Sequence, residues 1–390
     1  MYLRSVTFRR QIPLLVAILF SLLLGIIKVT SEIKEIRELQ SRKAFLATAP
    51  NIIIIGWDGV QRDHLWECFQ KELPECKKGL PNMEGLTNGE VFDITVTNGE
   101  TETTPGWPQI LSGYSAEVSG IFSNDDQPAL PKGFSIFEKL EEYFGEDNIV
   151  TLYVSGKGAY INSERIDYLQ ESAGNNSNVG AKALELIEKY KDKKFFAFFL
   201  FKDSDSSGHK FGENSVEYSE KIFDEDQWLG KIITKLRETG VYEETLIYVT
   251  TDHGFDEGQD KHQNAPYGFL ATNDPLVIRG GDRKDLTPTI LERYGLSLGR
   301  QGNIPAVHGY PLSSIPPLSC IPEGEAFLDY PNSPKCCQDL RLIGLDKFKD
   351  GKCLLPTGGR GDGSGYCTKC GDGQCQKPEN KCNCPVDCSG

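Results

Sequence analysis

Four apolar runs without a charge, at 51–57, 148–155, 195–201 and 245–251, are each followed by glycine or polar residues. Runs of this length and bounding read as strands buried on both faces. Between them the apolar positions change to helical spacing. The pattern predicts helices over 134–144, closed by Gly145, over 179–190, ending in lysines, and over 217–239, closed by Gly240. Strands alternating with helices predict an α/β domain, with a mostly parallel sheet covered by helices on both faces. Ligands should then gather beyond the carboxyl ends of the strands.

The two ends of the chain depart from this rhythm. Arg4, Arg9 and Arg10 precede an apolar run of sixteen residues at 12–27. The run reads as an uncleaved signal anchor or a cleaved signal peptide, which would place everything after Lys28 outside the cytosol. A charged segment at 31–49 with sparse apolar spacing reads as a helical stalk. After a Ser/Pro-rich boundary near 313–322, the residues from 316 onward form a small cysteine-rich tail, leaving 50–315 as the main α/β domain. Ten of the twelve cysteines fall between Cys320 and Cys388, and only Cys68 and Cys76 precede them. The C-x-x-C spacing there admits zinc knuckles, but export favours disulfides.

Composition narrows the partners. With 42 Lys+Arg against 56 Asp+Glu the net charge is −14, which argues against a nucleic-acid polymer as an electrostatic partner. A small phosphorylated substrate or phospholipid-like ester held by metal is compatible with that charge. Asp58, the pair Asp205 and His209, and the pair Asp252 and His253 all follow predicted strands, with His262 close behind. One such Asp is ordinarily a turn or a helix cap. Three strand ends carrying Asp or His, in a chain with only five histidines, instead suggest ligands enough for two divalent ions such as zinc. A threonine hydroxyl just ahead of Pro105, in the segment 101–104, falls at a predicted helix start where anions are stabilised; it reads as an N-cap or as a nucleophile.

The segments Ile-Ile-Ile-Ile-Gly-Trp-Asp58-Gly, Thr101 to Gly113, Asp205-Ser-Ser-Gly-His209 and Thr-Thr-Asp252-His253-Gly occur in this order. Together they resemble the alkaline phosphatase superfamily, in particular its nucleotide pyrophosphatase/phosphodiesterase branch, over about residues 50–315. The resemblance implies two metal ions, one held by Asp58, Asp252, His253 and the Thr103 oxygen, the other by Asp205, His209 and a third histidine. That third ligand is His262 by its spacing or His308 by its His-Gly-Tyr context, with His262 favoured. The resemblance also implies Thr103 as nucleophile, Asn124 as support for the transferring group, and hydrolysis of an extracellular phosphate ester through a phospho-threonine. Thr-Glu-Thr-Thr-Pro-Gly further resembles the ethanolamine-phosphate transferases, an alternative in which a hydroxyl acceptor replaces water. A non-catalytic binding protein retaining the fold is the remaining alternative. Gly106-Trp107 replaces the family's usual Asn-His type pair, which suggests an altered substrate pocket.

Overall fold

The run Asn-Ile-Ile-Ile-Ile-Gly-Trp has no polar face to offer solvent, and it forms a central strand with every residue buried, β1 (Asn51–Trp57). The computed structural model describes Lys28 and residues 50–390, except 73–75, 77–78, 88, 127–128, 163, 360–362 and 390. The apolar run at 12–27 and the stalk at 31–49 therefore lie outside the described residues. Among the described residues, no helix is long and apolar enough to cross a membrane.

The remaining strands of the main sheet are β2 (Phe92–Thr95), β3 (Val150–Ser155), β4 (Tyr168–Gln170), β5 (Phe195–Phe201), β6 (Thr245–Thr250), β7 (Tyr267–Thr272) and β8 (Gly281–Asp282). Their order is β4-β3-β5-β1-β6-β7-β2-β8. Strands β4, β3, β5, β1 and β6 are mutually parallel. Only β7 runs against its neighbours β6 and β2.

The helices that concern the site are α1 (Arg62–Phe69), α2 (Pro81–Thr87), α3 (Thr103–Ser112), α4 (Ala116–Ser119), α5 (Ile136–Phe144), α6 (Asn176–Tyr190), α7 (Asp203–Phe211), α8 (Val216–Glu238) and α9 (Leu286–Arg293). Sequence signals explain their ends. Ser135 and Glu138 form a reciprocal capping box at the start of α5, and Ser215 accepts the Tyr218 N–H at the start of α8, satisfying donors that a first turn leaves unpaired.

Alternation along the strands divides the core. Ile53, Ile55, Phe199 and Phe201 pack with Val179 and Leu186 of α6 and Leu229 and Ile232 of α8. On the opposite face, Phe196 meets Phe137 of α5, and Phe198 meets Trp107 of α3, with ring centroids 4.9 and 5.3 Å apart. Helices thus cover both faces, and the mostly parallel sheet expected from the sequence is the fold.

The tail contains a three-stranded sheet of β9 (Ala326–Phe327), β10 (Arg341–Ile343) and β13 (Gly365–Thr368), and a hairpin of β11 (Lys347–Lys349) and β12 (Lys352–Leu354). All twelve cysteines pair: Cys68–Cys76, Cys320–Cys337, Cys336–Cys367, Cys353–Cys382, Cys370–Cys384 and Cys375–Cys388. The zinc-knuckle reading thus has no free thiol to stand on. Its own apolar cluster is small, built on Ile321, Phe327 and Cys367, and covalent staples supply what so small a core cannot. Residues 50–390 nonetheless form one compact unit.

Candidate active site

Four adjacent strands, β3-β5-β1-β6, end on the same edge of the sheet, so the residues just past them fall in one row. Those residues are Lys157, Asp205, Asp58 and Asp252 with His253. The side chains of Asp58, Asp252 and His253 are fully buried. Asp205 and His209 lie on α7, four residues apart, so both project from one face of that helix. Gly59 follows Asp58 at φ +68°, and a Cβ there would sit 2.9 Å from Asp205 Oδ1; glycine is what lets the first carboxylate loop close against the second.

Thr103 opens α3, with Glu102 as the cap residue and no side-chain cap bond. Its hydroxyl is therefore committed elsewhere. Lys157 Nζ donates to Thr103 Oγ1 at 3.2 Å, and Thr103 Oγ1 lies 3.3 Å from His253 Nε2. His253 Nδ1–H donates to the Gly254 carbonyl at 2.9 Å, which leaves Nε2 as the acceptor for the threonine proton. The N-cap reading of Thr103 gives way to this arrangement.

Acceptors crowd the centre. The His253 Nε2 lone pair faces Asp252 Oδ2 at 3.5 Å and Asp58 Oδ1 at 4.0 Å. Asp205 Oδ1 and Asp252 Oδ2 are buried without a hydrogen-bond partner. The Lys157 ammonium bridges Asp58 Oδ1 and Asp205 Oδ2, each at 2.7 Å, one cation in direct contact with a cluster of three carboxylates. Burial, together with Asp252, pushes the Asp58 carboxyl well above its usual range against the pull of Lys157. Burial lifts Asp252 to about 7 in spite of Lys157. For Asp205 burial also works upward, but Lys157, His253 and His209 outweigh it and bring the group down to about 2. Burial lowers His253 to about 4 and His262 to about 3. Unpartnered buried carboxylate oxygens and bare imidazole nitrogens cost free energy unless a cation lies among them.

These residues fit divalent ions. Asp58, Asp252 and His253 bring ligand atoms within 4.8 Å of one another, and so do Asp205, His253 and His262. His209 adjoins the second group: its Nε2 lies 3.1 Å from His262 Nε2 and 3.4 Å from Asp205 Oδ1, while its Nδ1–H donates to the Asp260 carbonyl. His262 is thus brought to the cluster. His308 instead has Nδ1 3.0 Å from Ser115 Oγ and its ring against Tyr114, which itself reaches Pro305. Replacing His262 by Ala should lower turnover at limiting zinc by about 100-fold, the scale set by losing support of a metal site. His308→Ala should leave it within about twofold, as for most substitutions remote from such features; steady-state rates over a zinc titration check both.

Asn124 lies on the exposed side of Thr103. Its Oδ1 accepts the Thr104 N–H at 2.9 Å, and its own N–H donates to Glu102 Oε2 at 2.6 Å. The Gly106-Trp107 pair serves the interior rather than a substrate pocket. Trp107 is fully buried and donates from Nε1 to Asp58 Oδ2 at 3.2 Å, and a Cβ at Gly106 would come within 2.6 Å of Asp252 Cβ. Small and large residues here let α3 lie directly on the carboxylates. Sequence reasoning missed Lys157. Its signal was a lysine between glycines, Ser155-Gly-Lys157-Gly, just past a buried strand.

The fold and this row of carboxylates and imidazoles define an α/β protein with a candidate metal site at the carboxyl edge of its sheet. Residues 157–293 match the model of the type I phosphodiesterase / nucleotide pyrophosphatase family; Lys157, Asp205, His209, Asp252, His253 and His262 fall inside that span. The bis(5'-adenosyl)-triphosphatase ENPP4 of Bos taurus is 21% identical over 230 residues, covering 54% of this chain and 49% of that protein. GPI ethanolamine phosphate transferase 1 of Candida glabrata is 25% identical over 259 residues, 60% of this chain and 27% of that one. Thus the chain spans about half the length, or less, of these relatives. Ps i-CgsB in complex with k-i-k-neocarrahexaose shares the fold, with TM-score 0.50 at 14% identity over 67% of this chain and 75% of that chain. Over residues 157–293 the chain is thus similar to the type I phosphodiesterase / nucleotide pyrophosphatase family, the branch that its sequence segments resemble.

Proposed function

We propose that the protein is a two-metal phosphodiesterase or pyrophosphatase that cleaves a small extracellular phosphate ester through a phospho-threonine intermediate. The observation that carries this reading is Thr103 Oγ1, held between Lys157 Nζ and His253 Nε2 beside a cluster of carboxylates with two unpartnered oxygens. Asp58, Asp252 and His253, with Thr103, would hold one ion, and Asp205, His209 and His262 the other, zinc suiting the Asp/His donor set. Bound there, the ions would supply Lewis-acid charge for the phosphoryl oxygens and lower the pKa of hydroxyls and water.

The protein's own groups do the rest. Lys157 orients the Thr103 oxygen and offsets charge on the phosphoryl group. Asn124, fixed by Thr104 and Glu102, presents its amide N–H to a phosphoryl oxygen. The first-turn N–H groups of α3 favour an anion at the same place. In the first step the Thr103 Oγ–P bond forms as the P–O bond to the leaving alcohol breaks. In the second a water oxygen bonds to phosphorus and Thr103 is released. Six disulfides support an oxidising compartment for this work.

The transferase relative in Candida glabrata favours a second reading, in which an alcohol takes the place of water. Both readings are tested by turnover of bis-nitrophenyl phosphate against nitrophenyl phosphate by zinc-loaded protein, with and without glycerol. A hydrolase of this branch should cleave the diester faster and leave mainly the free acid product; dominance of the glyceryl ester would favour the transferase. Faster cleavage of the monoester, or of neither, would contradict the diesterase.

A further inference from the structure

The geometry points to the cysteine-rich tail as a brace of the active site: its segment 345–359 fixes the loop 256–264 that delivers His262, so that the tail completes the second cation site. This rests on the two-ion reading of the site.

The loop leaves the cluster after His253 and must return His262 to it without a strand or helix of its own. Asp256 organises the turn, its Oδ2 accepting the Gln263 N–H at 2.9 Å and its Oδ1 the Asn264 N–H at 3.0 Å. Thr101 Oγ1, two residues before the nucleophile, donates to the His262 carbonyl at 2.5 Å. The tail closes the other side. Thr357 N–H donates to the Asn264 carbonyl at 3.0 Å, and Thr357 Oγ1 donates to Asp256 Oδ1 at 3.2 Å. Asn264, 1% exposed, donates from Nδ2 to the carbonyls of Leu354 at 2.8 Å and Leu345 at 3.2 Å. Both carbonyls belong to the tail, and the hairpin of β11 and β12 begins and ends beside them.

The hairpin is itself fastened. Cys353 of β12 is bonded to Cys382, Lys347 of β11 pairs with Glu100 at 2.8 Å, and Asn380 and Asn383 donate to the carbonyls of Asp346 and Gly344. Further along, Gly358 accepts the Asp63 N–H at 3.3 Å, and a Cβ on Gly359 would lie 2.3 Å from the Tyr267 ring. The tail therefore seats against the start of α1 and of β7 as well as the loop after His253. Thr357 and Asn264 are positioning residues that act through the His262 loop.

The test is zinc uptake by the full chain with its disulfides intact, measured by competition against a chromophoric chelator, for wild type, Thr357→Val and Thr357→Ser. Valine keeps shape and the main-chain bond but removes the hydroxyl. In Thr357→Val one of two zinc ions should bind about tenfold less tightly with the other unchanged, the scale of a lost outer partner. Serine should restore it, and a Cys353→Ser/Cys382→Ser double variant should repeat the valine effect. Wild type with two ions and Thr357→Val with the same two affinities would overturn the brace alone, as would equal weakening of both sites. A wild type that takes up fewer than two ions would overturn the two-ion reading beneath it.

Discussion

Thr103→Ala should abolish diester cleavage, by about 10⁴-fold or more, because no second group can accept the phosphoryl ester once the nucleophile is gone. Thr103→Ser should retain part of the activity, since the oxygen keeps its place at the start of α3 between Lys157 and His253. Circular dichroism should be near wild type in both, for the Thr103 hydroxyl bonds only within the site. Initial rates with bis-nitrophenyl phosphate separate the outcomes. An Ala variant within tenfold of wild type would mean that another group, or water directly, attacks phosphorus.

Lys157→Met should be the next most damaging change to chemistry. The ammonium donates to Thr103 Oγ1 and bridges Asp58 and Asp205. Burial works against its charge, yet Asp58, Asp205 and Asp252 hold its pKa above the usual lysine value. Losing a preorganised donor of this kind costs about 10²- to 10³-fold in kcat. Methionine fills similar volume without charge. If Lys157 contacts the reacting groups, kcat falls while KM changes little. A fall confined to zinc affinity, with kcat recovered in excess zinc, would make Lys157 a support for the metal ligands instead.

Much of this site was legible because parallel α/β folds place ligands where strands end, and strands buried on both faces announce themselves as unbroken apolar runs. The runs at 51–57 and 195–201 coincide with β1 and β5, so Asp58 and Asp205 could be placed beside a site before any coordinates. His262 was favoured over His308 by spacing alone, and the loop geometry brings His262 to His209 and His253. Lys157 escaped because a lysine past a strand ordinarily reads as a solvated group; only the neighbourhood of β3 and β5 shows that it points among carboxylates. Strands β2, β4, β7 and β8 were missed for a different reason. Their runs are short or interrupted, and the pairing of β7 against β6 depends on where the chain crosses, which no local pattern encodes. The bonds from Asn264 to Leu345 and Leu354 join residues about 80 and 90 positions apart, so the tail read as a separate module in the sequence.

The most direct measurement is acid quenching of zinc-loaded protein during turnover of a diester, followed by mass spectrometry of its peptides. The retained half of the substrate, as a phosphoryl ester on Thr103 and absent from Thr103→Ala, is the expected result. Turnover in the same sample with Thr103 unmodified, or with the ester on another side chain, would contradict the phospho-threonine mechanism.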